Sequence, residues 1–150
     1  MREKMKYSKW MLIVSILSFS LSAHADPTKA EVTGTWYANI HNNVAESTMW
    51  LIQLKEDNTY LSLKMLCQTK KLIWVDEHKG TWKLDKTALI QMPKTHSDFN
   101  NYKEAESGEM LTFTDVTVTE DTLSYKDANQ KDLTFKRHDG FFTMRCSGMM

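Results

Sequence analysis

The chain predicts an all-β fold, a sandwich or a barrel of short antiparallel strands, and three observations carry that expectation. From Thr33 onward no stretch sustains an apolar residue at every third or fourth position, as an amphipathic helix requires. Runs rich in Trp, Tyr, Phe, Val, Leu and Thr recur instead, separated by turn residues at intervals of roughly eight to twelve. The tripeptide Gly-Thr-Trp also occurs twice, at 34–36 and at 80–82, each time at the entry to such a run.

The front of the chain stands apart from this pattern. Arg2, Lys4, Lys6 and Lys9 face a single Glu3, the apolar run MLIVSILSFSLS follows, and Ala23-His24-Ala25 precedes Asp26-Pro27. That is the three-part layout of a secretory signal peptide, expected over residues 1–25 with cleavage after Ala25. The expected product is a single soluble domain, residues 26–150, periplasmic or secreted and without a membrane span. Removing four basic residues and one acidic residue from a chain with 19 of each leaves 15 against 18, a net charge of −3. Such a surface lacks the cationic face that displaces counterions from phosphates, so a nucleic-acid partner is excluded. The two cysteines, Cys67 and Cys146, both lie in the exported part and are expected to form a disulfide there.

Strands are expected near 34–40, 48–54, 59–67, 72–77, 80–84, 87–92, 109–118, 122–126, 132–137 and 141–146. If Lys55-Glu56-Asp57-Asn58 is a four-residue turn, Leu54 faces Thr59, Ile52 faces Leu61 and Trp50 faces Leu63. Trp50, Ile52, Leu54, Leu61, Leu63, Met65 and Cys67 then share an inward surface, while Gln53, Ser62 and Lys64 point out. Continuing through a turn at 68–71 adds Leu72 and Trp74 to the inner face. The 109–126 hairpin leaves two registers open: a three-residue turn aligns Leu123 and Tyr125 with Leu111, Phe113, Asp115 and Thr117, a four-residue turn with Val116 and Val118. Between the strand groups, the polar segment 93–108 is read as an exposed connection whose Phe99 and Tyr102 can fold back over a cavity mouth.

Glycine at a strand entry permits close approach of another group, and a tryptophan two residues on can plug the end of a closed sheet. Gly34 with Trp36 and Gly80 with Trp82 therefore read as end-plugs of a small barrel. An N-terminal Gly-x-Trp on the first strand, successive antiparallel hairpins and a late cysteine able to bridge back to a middle strand resemble the lipocalin-like (calycin) barrels of bacteria. The resemblance implies a single antiparallel up-and-down barrel of about eight to ten strands. It further implies that Gly34 and Trp36 form the first motif, that Arg137 or Arg145 packs over Trp36, and that Cys67–Cys146 ties barrel to tail.

No nucleophile elbow, phosphate loop or His-Glu-x-x-His motif occurs, and Asp115 and Tyr125 are only scattered polar groups, so no enzyme is expected. Asp76, Glu77 and His78 adjoin one another, but neighbours on a strand alternate sides, and VDEHKG reads as a solvated hairpin tip. Met144, Cys146, Met149 and Met150 cluster near the end, yet Cys146 is read as bridged and Met144 as core. No metal and no cofactor are expected. The expected function is binding of a small apolar molecule or lipid in the barrel, lined by Trp50, Ile52, Leu61, Leu63, Met65, Trp74, Phe113 and Tyr125. The alternative is a periplasmic protein-binding module, an inhibitor or toxin-immunity protein, with a filled core.

Overall fold

The computed structural model describes residues 25–106, 108–141 and 143–146. The expected signal peptide, Ala25 apart, and Met149 and Met150 lie outside the described residues. A four-residue helix, α1 (Lys29–Val32), is followed by β1 (Gly34–His41), β2 (Glu46–Leu54), β3 (Thr59–Gln68), β4 (Lys71–Asp85) and β5 (Ala88–Asp98). The chain continues through β6 (Tyr102–Glu104), β7 (Leu111–Val118), β8 (Thr122–Lys126) and β9 (Asp132–Arg137). Every pairing is antiparallel. Strands β1, β2, β3, β4, β5, β7, β8 and β9 neighbour one another in that order, β9 returns to β1, and β6 only extends β5. The sheet is thus a closed up-and-down barrel of eight strands, which removes the exposed edges an open sheet would carry.

One end is sealed. The α1 helix begins with a capping box in which Thr28 and Glu31 each satisfy the other's backbone. It delivers Val32, fully buried, onto the barrel end. Trp36 and Trp82 are buried beside it; Trp36 donates its indole N–H to the Val32 carbonyl (2.8 Å), and Trp82 donates to the Lys55 carbonyl (3.0 Å). The Arg137 guanidinium lies 4.0 Å over the Trp36 ring and donates to the Thr33, Glu31 and Glu120 carbonyls. Arg145 is exposed in the tail, so Arg137 alone covers the tryptophan. Both glycines of the repeated tripeptide face a close approach. At Gly34 (φ +145°) a Cβ would sit 2.5 Å from Arg137 Nη1, and at Gly80 it would sit 2.0 Å from the Met92 carbonyl oxygen, at a bulge between β4 and β5.

The core behind this plug is aromatic. Trp50 meets Phe135 edge-on at 5.2 Å, Tyr125 lies 5.2 Å from Phe135 and 4.6 Å from Phe113, and Ile52, Leu54, Leu89, Leu123 and Val116 fill the rest. In the 109–126 hairpin Val118 faces Leu123, as a four-residue turn requires. An irregularity around Asp115 (φ 54°) then shifts the pairing, so Phe113 and Val116 both reach the core.

Three expectations are corrected. In the β2–β3 hairpin Leu54 faces Tyr60, not Thr59. Asn58 adopts the left-handed conformation (φ 65°), the Lys55 N–H donates to the Thr59 carbonyl (3.0 Å), and the turn absorbs one residue more than the four-residue reading allowed. A shift of one residue turns a whole strand over. Tyr60, Ser62, Lys64 and Leu66 therefore share the inner face with Thr48, Trp50, Ile52 and Leu54, and Leu61, Leu63, Met65 and Cys67 point outward. Second, residues 71–85 form one fifteen-residue strand with no turn at VDEHKG, because Asp76 to Lys79 pair continuously with both β3 and β5. Third, residues 93–104 are largely sheet: β5 runs on to Asp98 and turns into β6, leaving Phe99 and Tyr102 exposed, with Tyr102 at the edge of an open pocket beside Lys94 and Leu61 on the outer face.

The described residues of 141–146 form no strand. Cys146 is joined to Cys67, 79 positions earlier. The His138 N–H donates to the Thr35 carbonyl (2.8 Å), so the segment after β9 starts beside β1 and ends on the outward side of β3. Met49 and Leu51 point outward yet are buried, which marks this outer face as a second apolar layer. Among the described residues no helix is long and apolar enough to cross a membrane.

Candidate functional site

At the end opposite the tryptophan plug, the barrel opens into a cavity of about 390 Å³. Trp50, Phe113, Leu111 and Leu133 give it an apolar floor and wall, and Ile40 and Met110 extend the wall. Lys64 enters from β3, while Asp127, Asn129 and Lys131 stand on the β8–β9 loop. Small-molecule sites usually occupy roughly 300–1,000 Å³, so this is a compact one. The Lys64 ammonium lies 3.8 Å over the Trp50 ring, whose indole N–H donates to Ser62 Oγ (2.9 Å). Burial pushes the Lys64 ammonium below the usual lysine range, against the opposing pull of Asp76 and Asp127.

Of the eight residues expected to line a cavity, Trp50 and Phe113 do so. Ile52 and Tyr125 lie in the filled core beneath, and Leu61, Leu63 and Met65 are on the outer face. Trp74 faces Leu66 across β3–β4 at the rim, is 40% exposed and does not line the cavity. Lys64 and Leu133 were missed. The one-residue turn error placed Lys64 outside, and Leu133 lies near the start of a short strand, β9, whose alternation is clear only once its register is known.

Deeper toward β4 and β5 the inner face turns polar. Asp76 and His78, two apart on β4, share one side of the sheet, and His96 on β5 is the direct cross-strand partner of His78. The two imidazoles stack at 4.4 Å with planes 17° apart. His78 Nε2 lies 3.1 Å and His96 Nε2 2.5 Å from the same Asp76 Oδ1. The three residues offer ligating atoms all within 4.8 Å of one another. Burial raises the Asp76 carboxyl, but hydrogen bonds and charge from His78 and then His96 outweigh it and hold the group below the usual aspartate range. Glu77 points out and pairs with Lys79 (2.7 Å). The reading of VDEHKG as a solvated hairpin tip does not hold, since the segment is continuous strand, and His96 lies in β5 and not in a loop.

The buried Tyr60 and Tyr125 hydroxyls and the Gln91 amide nitrogen have no protein partner. Burial raises the Tyr125 phenol well above 10.0, helped by Asp127. The unfolded chain therefore loses its proton first, and this contribution to stability is present below about pH 10 and lost as pH rises beyond it. Tyr125→Phe is expected to leave neutral-pH stability unchanged or slightly raised, since no hydrogen bond is broken, and to weaken alkaline unfolding. Denaturant midpoints at pH 7 and pH 10.5 measure both effects.

No protein-family model matches the chain, and comparison with curated proteins finds no match.

Proposed function

We propose that this is an exported, lipocalin-like binding protein that holds a small amphipathic molecule in the mouth of its barrel. The observation that carries the reading is the cavity itself: an apolar wall of Trp50, Phe113 and Leu133 with a single half-buried cation, Lys64, set into it. The apolar surfaces suit an alkyl or ring body, and Lys64, supported by Lys131 at the rim, suits a carboxylate or another anionic head. Arg137 over Trp36 and the Cys67–Cys146 bridge support the lipocalin-like name, and the disulfide supports an oxidising compartment. The protein acts by binding alone, without catalysis.

A medium-chain fatty acid such as decanoate, with decanol as its uncharged analogue, tests this through tryptophan fluorescence. Wild type is expected to bind decanoate saturably and about tenfold better than decanol, a difference of about 1.4 kcal/mol. Lys64→Met should abolish that preference, while Leu63→Ala, on the outer face, should leave both affinities unchanged. Equal binding of decanoate by wild type and Lys64→Met would remove the proposed role of the lysine.

A second reading has one specific observation behind it. Leu72, Ile73 and Trp74 are all exposed at the start of β4 and form an apolar rim suited to a protein partner. Absence of any saturable small-molecule binding would favour that reading.

A further inference from the structure

We infer that Asp76, His78 and His96 form a binding site for a zinc-class divalent cation, independent of the ligand cavity. Two imidazoles and a carboxylate are a donor set for first-row divalent ions, with zinc the redox-inert member suited to an exported protein. The placement is made by the sheet. Alternation on β4 brings Asp76 and His78 to one side, and cross-strand pairing sets His96 directly beside His78. Both rings bring the same nitrogen, Nε2, to the Asp76 carboxylate, whose Oδ1 lies 3.1 Å from one and 2.5 Å from the other; because the rings are stacked with planes 17° apart, an ion held by both requires one ring to turn about its side-chain bonds.

His78 Nε2 hydrogen-bonds Asp76 Oδ2 (3.2 Å) and His96 Nε2 hydrogen-bonds Oδ1, so both rings already hold Nε2 against one carboxylate, the arrangement a shared cation would take over. Donor atoms about 2.0–2.1 Å from a zinc ion lie roughly 3 Å from each other, and the three donors here lie within 4.8 Å of one another, near enough to close on an ion by small side-chain rotations. Three protein ligands leave a position open. Solvent reaches the site at His96, whose side chain is 38% exposed against 10% for Asp76.

The surrounding charges are compatible with a cation. Lys64 is the cross-strand neighbour of Asp76, but its ammonium is drawn onto the Trp50 ring. Asp98, opposite Asp76, adds negative charge nearby while its carboxylate accepts from the backbone N–H groups of Asn100 and Asn101. It is not counted as a ligand.

The experiment is titration of tag-free purified protein with Co2+, read by visible d–d absorption, followed by displacement with Zn2+ in the presence of a chromophoric chelator. The expected result is one ion per chain. His78→Ala, His96→Ala and Asp76→Asn should each weaken binding by about tenfold or more, with loss of the absorption band. His41→Ala, an exposed histidine at the end of β1, should bind as wild type. Asp76→Asn and the partly exposed His96→Ala keep the test sound if His78→Ala fails to fold, and circular dichroism checks each variant. No saturable binding at micromolar metal, or wild-type binding by folded His96→Ala and Asp76→Asn, would overturn the site.

Discussion

Trp36→Ala is expected to cost about 3–5 kcal/mol, the range for truncating a fully buried aromatic. The indole is completely inaccessible, fills the sealed barrel end beside Val32 and Trp82, and donates to the Val32 carbonyl. Its loss leaves a void, strands that carbonyl and removes the surface on which the Arg137 guanidinium rests. Arg137 also donates to carbonyls on either side of the barrel closure, at Thr33 and Glu120, so the damage reaches the β1–β9 junction. A domain with typical net stability of about 5–15 kcal/mol would be left marginal, with a melting temperature lower by about 10 °C or more. Phe99→Ala is the matched control. That ring is 53% exposed, and its loss should stay within about 0.5 kcal/mol. A wild-type denaturation midpoint for Trp36→Ala would show that the tryptophan does not plug the barrel.

Reducing the Cys67–Cys146 bridge, or replacing both cysteines by serine, is the other large change. Closing a ring over 79 positions removes enough freedom from the unfolded chain to contribute roughly 4 kcal/mol in the chain-entropy model. The bridge also ties the chain end to the outward side of β3, the side on which Met49 and Leu51 are buried. The reduced protein should therefore lose stability and also expose an apolar outer face, binding a hydrophobic dye that the oxidised protein does not. Its barrel strands should persist, because every ladder is closed without the tail. A reduced protein with unchanged midpoint and no dye binding would contradict the role given to the tail.

That outer layer also explains where sequence reasoning stopped. Strand content, the paired Gly-Thr-Trp segments, the two cysteines and the barrel were legible because each rests on local pattern or on a pair of residues with one sensible use. The face of β3 was not. Leu61, Leu63 and Met65 alternate like a core face, but they lie on the outward side of β3, whereas Ser62 and Lys64 look solvated and point inward. A rule that equates apolar with inside fails where both faces of a strand are covered. The remaining clue was Asn58, a residue tolerant of the left-handed conformation placed just before a strand.

The cluster of Asp76, His78 and His96 was hidden for a related reason. His78 and His96 are 18 positions apart, and only the pairing of β4 with β5 makes them neighbours. The polar composition of KTHSDFNN suggested a loop, while cross-strand pairing with β4 and β6 makes most of it sheet. Polar side chains on the inner face are what a functional lumen requires, and they are also what erases the usual strand signal.

The central claim is that the open mouth around Trp50, Phe113, Leu133 and Lys64 is where this protein binds its ligand. It is tested most directly by nuclear magnetic resonance on isotope-labelled protein titrated with decanoate. The account predicts saturable shifts at the Trp50 indole N–H, the Phe113 ring, the Leu133 methyls and the Lys64 side chain, with Leu61, Leu63 and Met65 unmoved. Shifts confined to the outer face or to Leu72, Ile73 and Trp74, or no saturable shifts at all, would contradict it.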